Sequence, residues 1–182
     1  MSGGVVFERN KGPVYIDNQP RELQASIIRK LVEIISTSDP VEQNLDRAAS
    51  NIDIKIKFND LKRNKWVADL YKDDAIVIDE SIKTLDSIIY NGSRKLKRQF
   101  KSFYNAALGR YGFYERPFIL DAIRQNSDNI IDDVLNSAQK MVSLCSNLDS
   151  EFLQEDIDYG IRMIVSYSII ECVVLENPND YN

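Results

Sequence analysis

The sequence predicts an all-α fold, mainly an irregular helical bundle with a short β-like arm at the N-terminus, and three observations predict it. Apolar residues recur at helical spacing through most of the chain from Pro20 onward. Helix-stop residues, Asn91-Gly92 and Gly112, punctuate those stretches. The segment "IRMIVSYSIIECVVL" is apolar on nearly every side, as the central helix of a bundle must be.

A chain of 182 residues with 43% hydrophobic content can build one real core. The expected division is an arm or hairpin over 1–19 and a single helical domain over 20–182. That domain comprises N-terminal helices (20–50), a helix pair (51–115) and an acidic helical tail (116–182) packed on it. The net charge of −5 is unevenly spread: residues 127–182 hold 11 acids against Lys140 and Arg162, a charge of −9, which leaves +4 for residues 1–126. No run of about 18 apolar residues occurs, and "MSGGVVFERNKG" lacks the basic-then-apolar layout of a signal peptide, so a cytoplasmic protein without membrane contact is expected.

In the arm, Val5 to Phe7 and Val14 to Ile16 are β-prone runs around a Gly-Pro turn. From Pro20 the spacing of Leu23, Ile27, Leu31 and Ile34 predicts a helix ending near Ser38. Asp39, Pro40 and Glu42 then form a capping box for a short helix towards Ala49. In "IDIKIKFNDLKRNKW", Ile52, Ile54, Ile56 and Phe58 alternate with polar residues, which predicts a brief extended segment over 52–58. The bases after it are expected to start a long helix reaching Tyr90, with Val67, Leu70, Tyr71, Ile78, Ile82, Leu85, Ile88 and Ile89 on one stripe. Asp74 falls inside that stripe, where a bare carboxylate is costly, so a basic partner, a solvent opening or a local break is expected there.

Ser93 is the predicted cap of the next helix, which separates Leu96, Phe100, Phe103 and Ala107 from an opposite basic arc. Pro117 opens a further helical region through Ile119, Ile123, Ile130, Leu135, Ala138, Val142 and Cys145, with a break or bend expected at Asn126-Ser127. The last helix is expected from Ser150 to Glu176, before Pro178.

The chain has no histidine, which removes the commonest general base and metal ligand along with every Ser-His and Cys-His pair. Its two cysteines, Cys145 and Cys172, lie in apolar helical patterns and read as buried thiols. Neither Gly-rich phosphate-loop pattern occurs. No cofactor, metal or small-molecule substrate is therefore expected, and the protein reads as non-catalytic.

Four features invite a functional reading. Asp53-Ile54-Lys55 matches the D-x-K core of metal-dependent nucleases, but the surrounding helical pattern favours a plain structural segment. A basic set of Arg94, Lys95, Lys97, Arg98 and Lys101, with Lys62, Arg63 and Lys65 elsewhere, suits phosphates or an acidic protein surface, against the bland reading of a solvated face. The acids Asp128, Asp132, Asp133, Glu151, Glu155, Asp156 and Asp158 could hold a cation, though helix capping is the simpler role. An aromatic corner of Tyr104, Tyr111, Phe113, Tyr114 and Phe118 is either packing or a partner-binding hot spot.

The stretch "IDIKIKFNDL", followed by "VADLYKDDAIVIDESIKTLDSIIYN" and "GSRKLKRQFKSFYNAALGRYG", resembles the helical C-terminal interaction domains of bacterial ABC-three-component conflict systems. There a phrase close to Lys-Ile-x-Phe-Asn precedes a helix pair, and Lys55, Ile56, Phe58 and Asn59 match it over a region of roughly residues 50–115. The resemblance implies antiviral, antiphage defence in bacteria beside an SMC-like ATPase and an effector nuclease. In that family the domain usually ends a longer effector chain, so the short arm and acidic tail here fit a small accessory subunit better.

Two function classes follow. One is an adaptor held by protein–protein interaction, with candidate contacts at Lys55, Lys57, Asn59, Lys62 and Arg63, at Arg94, Lys97, Arg98 and Lys101 on the basic helix, and at Tyr111, Phe113 and Tyr114. The alternative is a nucleic-acid-binding or metal-dependent nuclease subunit acting directly on DNA.

Overall fold

Six helices follow one another: α1 Ile27–Ser36, α2 Asp46–Phe58, α3 Lys65–Ile88, α4 Gly92–Arg110, α5 Ile119–Leu144 and α6 Gln154–Ile170, then a 3-10 turn Pro178–Tyr181. The computed structural model describes residues 26–38, 46–113, 119–145, 152–171 and 173–181. Among them there is no strand, and the fold is an all-α bundle. The arm, the Asp39-Pro40-Glu42 capping box, Tyr114 and Cys172 lie outside the described residues.

Helix α6 is the core helix that its all-round apolarity predicts. Ile161 and Met163 through Ile169 are all buried, and α6 packs against each of the other five helices. It is shorter than expected, because the chain turns at Glu171 and the Val173 and Val174 N–H groups both donate to the Ser168 carbonyl. Helix α1 approaches α6 closely at Gly160, where an added Cβ would lie 3.0 Å from Val32 Cγ1 and 3.3 Å from Val32 Cα. The buried face of α1 is Ile28, Leu31, Val32 and Ile35, with Ile27 and Ile34 at its rim.

The conflict at Asp74 is resolved by a local break. Its backbone leaves the helical region (φ −121°, ψ 22°), and the Tyr159 hydroxyl donates to its carboxylate at 2.8 Å. Beyond it, α3 ends at Ile88 and the chain reverses through Asn91, whose φ of 56° is left-handed. The first turn of α4 is capped from outside: the Ser93 N–H donates to Asp86 Oδ1 at 2.8 Å, so the Asp86 carboxylate plays the part expected of Ser93. That hydrogen bond lowers the Asp86 pKa below the usual aspartate value.

Two further expectations are corrected. Residues 52–58 are not extended; they complete α2. Ile52, Lys55, Ile56 and Asn59 are all buried, which is the i, i+3, i+4, i+7 pattern of a helix, while Ile54 is 56% exposed. Two of those four inward residues are polar, so the helical stripe is masked and the period-2 pattern stands out instead. The helix then ends in a Schellman motif: Asp60 is left-handed (φ 51°), its N–H donates to the Lys57 carbonyl, and the Leu61 N–H reaches the Ile56 carbonyl at 3.0 Å. The chain from Asp60 to Asn64 is thus a connection, and α3 begins at Lys65 rather than Asp60.

Helix α5 is the second correction, running from Ile119 to Leu144 without the expected break at Asn126-Ser127. Asn126 Nδ2 donates back to the Ala122 carbonyl, and the buried Ser127 hydroxyl donates to the Asp60 carbonyl at 3.3 Å. Both polar side chains are satisfied without leaving the helix.

Candidate interaction surface

The 52–66 stretch is mostly architecture. Lys55 is 4% exposed and Asn59 fully buried, so neither can meet a partner at the surface; only Lys57 of this trio is exposed. Asn59 Nδ2 donates to the Lys55 and Glu176 carbonyls, and Asn59 Oδ1 accepts the Glu176 N–H, which ties the end of α2 to the C-terminal segment. Glu176 is itself held by the hydroxyls of Tyr104 and Tyr181, and Arg124 Nε donates to the Phe58 carbonyl at 2.6 Å while lying over the Phe58 ring. The phrase Lys55-Ile56-Lys57-Phe58-Asn59 therefore works here as a helix stop and tail clamp.

In the D-x-K match, Asp53 is exposed and ion-paired with Lys72 at 2.7 Å, whereas Lys55 points inward. Residues i and i+2 of a helix lie about 200° apart, so these two side chains do not converge.

The connection 60–64 is latched onto α5. Asp128 accepts the Asn64 N–H at 2.7 Å and the Lys62 N–H at 3.3 Å, and Asp132 accepts Asn64 Nδ2 and pairs with Arg63. Lys62 pairs with Asp60 and Asp133 with Arg110. Asp128 and Asp132 thus serve the entry to α3, and Glu155 and Asp156 occupy the first turn of α6, where the helix dipole favours acids. Among the described residues no group of three or more Cys, Asp or Glu side chains could hold a metal ion.

Helix α4 is different. Its 19 residues contain six bases and no acid. Lys97 is engaged inside the molecule, bonded to Glu171 at 2.5 Å and 5.7 Å from the Tyr167 ring centroid, and Arg110 is paired with Asp133. Arg94, Lys95, Arg98 and Lys101 are exposed and make no ion pair among the described residues. Lys101 lies over the Tyr104 ring. On a helical wheel Arg94, Arg98 and Lys101 fall within about 60° and form one stripe roughly 10 Å long. The structure therefore brings together Arg94, Arg98 and Lys101 of the predicted basic set, leaves Lys95 exposed to one side of their stripe, and removes Lys97.

The stripe has two exposed neighbours, Tyr90, which the periodicity did not single out, and Ile88, which it placed on the apolar stripe of α3. Tyr90, 84% exposed, and Ile88, 56% exposed, stand at the α3–α4 turn beside its N-terminal end. Beyond its other end the outer face of α4 is uncharged, with Asn105 exposed on the line of the stripe and Ser102, Ala106 and Gly109 exposed beside it. Ile88 is thus corrected from the apolar stripe to the surface, because it is the last residue of α3 and lies at the edge of that stripe, while Tyr90 was masked by the Asn91-Gly92 stop beside it.

The aromatic corner is largely packed. Phe113 is 2% exposed and stacks on Tyr111 with centroids 5.3 Å apart. Phe113 is thus corrected to a core residue, and Tyr111 is partly buried, its pKa raised by desolvation and by Asp133. A second exposed aromatic, Trp66, carries the Arg162 guanidinium over its ring, but acids Asp53, Asp69, Asp128 and Asp132 are interspersed with the bases of that end of the molecule.

No helix among the described residues is long and apolar enough to cross a membrane. The chain matches none of the family models, curated proteins and solved structures compared with it.

Proposed function

We propose that this protein is a non-catalytic adaptor that docks a protein partner on the outer face of α4. The observation that carries this reading is the contrast between α4 and the rest of the described surface. Most other bases are tied to acids of the same chain, whereas Arg94, Lys95, Arg98 and Lys101 are left for something outside it. Beside them Tyr90 and Ile88 supply exposed apolar surface, and aromatic and Arg side chains are the ones that dominate binding energy at interfaces. Charge complementarity then selects a partner with an acidic surface.

The resemblance to conflict-system interaction domains suggests which partners those are: an SMC-like ATPase and an effector nuclease in a bacterial antiviral complex. The test is co-purification from the native host. The tagged wild-type chain retains an acidic partner that an Arg94→Glu/Arg98→Glu variant of equal thermal stability releases. Unchanged retention by the variant sinks the proposal. So does salt-sensitive DNA binding by the isolated chain that the same variant abolishes, which is the outcome expected of a nucleic-acid-binding subunit.

A further inference from the structure

We infer that the element docking on α4 is an acidic α-helix rather than an extended peptide or a nucleic-acid backbone; this rests on the adaptor reading and names the occupant of the same face. The argument is one of spacing and relief along a single helix face. Arg94, Arg98 and Lys101 stand at i, i+4 and i+7, so their axial separations are about 6 and 4.5 Å, alternating around the pitch of an α-helix. Carboxylates at i, i+4 and i+7 of a partner helix repeat those intervals, one acid to each base. An extended segment presents same-side residues about 6.6 Å apart, so its third acid overshoots Lys101 by close to 3 Å. Extended peptides also dock by adding to a sheet edge, and the described residues contain no strand.

The second half of the face points the same way. Past Lys101 the line of the stripe runs through the exposed Asn105, and Ser102, Ala106 and Gly109 flank it with side chains of little or no height. Helix axes pack 8–10 Å apart according to the side chains between them, and this stretch, which carries nothing longer than asparagine, admits a helix within that range. A nucleic-acid backbone is matched poorly, because duplex DNA carries a charge every 1.7 Å of axis. The uncompensated bases of α4 cover only about 10 Å before the surface becomes uncharged, with Asn105, Ala106 and Gly109, at one end and apolar, with Ile88 and Tyr90, at the other. A partner helix need be acidic over only two turns, with an apolar residue at one end to cover Tyr90.

The experiment uses the full chain and a synthetic probe, read by fluorescence anisotropy at low salt. The probe is a 24-residue Ala/Leu-based helical peptide with Glu repeated at spacings of four and three. Its control carries D-Ala at two central alanines, which breaks the right-handed helix and leaves the charge unchanged. The helical peptide is expected to bind at least tenfold more tightly than the control. A Ser102→Trp/Ala106→Trp variant, altered only at exposed positions and checked by thermal melting, is expected to lose at least tenfold for the helical peptide. If both peptides bind equally and Arg94→Glu/Arg98→Glu abolishes both, the helix inference fails while the docking face stands. If neither peptide binds but an oligonucleotide of equal charge does, in a manner lost in that variant, the inference and the adaptor reading fail together. Absence of binding by any probe overturns the inference alone.

Discussion

Asn59 and Glu176, 117 residues apart, pair through a side-chain amide that imitates a backbone rung: Asn59 Nδ2 donates to the Glu176 carbonyl and Asn59 Oδ1 accepts the Glu176 N–H, each at 2.9 Å. Because Asn59 is fully buried, water cannot replace either bond. Asn59→Asp keeps the shape but has no N–H to give, so the Lys55 and Glu176 carbonyls lose their donor. The expected cost is about 2–4 kcal/mol, from buried acceptors left without a donor. A urea midpoint within error of wild type would show that this clamp carries no weight.

The helical reading of 52–58 makes a sharper prediction than an extended one. Ile56→Asp places a carboxylate in the core between α2 and its neighbours and is expected to destabilise by about 3–5 kcal/mol, while Lys57→Ala, on the exposed side, is expected within about 0.5 kcal/mol of wild type. Ile54→Asp separates the two geometries. The period-2 pattern would make it as damaging as Ile56→Asp, whereas at 56% exposure it is expected to be nearly silent in a thermal melt.

Asp79 gives a pH dependence. Asp79 is surface-exposed but partly desolvated on its Tyr71 side, which raises its pKa; the Tyr71 hydroxyl at 3.0 Å opposes that, and the Glu171 carboxylate adds to it, with Lys83 and Glu80 also facing the group. The folded value thus lies above the unfolded one near 3.8. The contribution of Asp79 to stability is fully present below the unfolded pKa and declines as pH rises through the folded one. Asp79→Asn removes the charge and retains an acceptor for Tyr71. Because solvent screens this exposed charge, it is expected to melt only slightly higher than wild type at pH 7 and to converge with it near pH 3; a larger deficit at pH 7 than at pH 3 would reverse the sign assigned here.

At the α1–α6 crossing, Gly160→Ala should improve helix propensity by close to 1 kcal/mol. The added Cβ instead meets Val32 at 3.0–3.3 Å, backbone included, and overpacking is expected to win by about 1–3 kcal/mol. In a Val32→Ala background the clash with the valine methyls is relieved. A double-mutant cycle should then give a coupling of at least about 0.5 kcal/mol, and strict additivity would refute the contact.

The sequence by itself determined the fold class, the α3–α4 boundary and the central helix. These are properties of long local patterns: an Asn-Gly stop needs a left-handed backbone wherever it sits, and a helix apolar on all sides has nowhere stable to go except the middle. It also located the conflict at Asp74, though not its resolution, since the hydroxyl that meets this carboxylate comes from Tyr159 on another helix. The basic stripe of α4 was legible because no acid interrupts it. Only the tertiary structure decided that Lys55 and Asn59 face inward, that Lys97 is spent on Glu171, and that α5 runs straight through Asn126-Ser127. At Asn59, Lys97, Asn126 and Ser127 the polar side chain is satisfied by a group distant in the chain or by the turn beneath it. Local periodicity counts such a residue as surface, and burial becomes favourable only when the partner supplies the hydrogen bond that water would otherwise make.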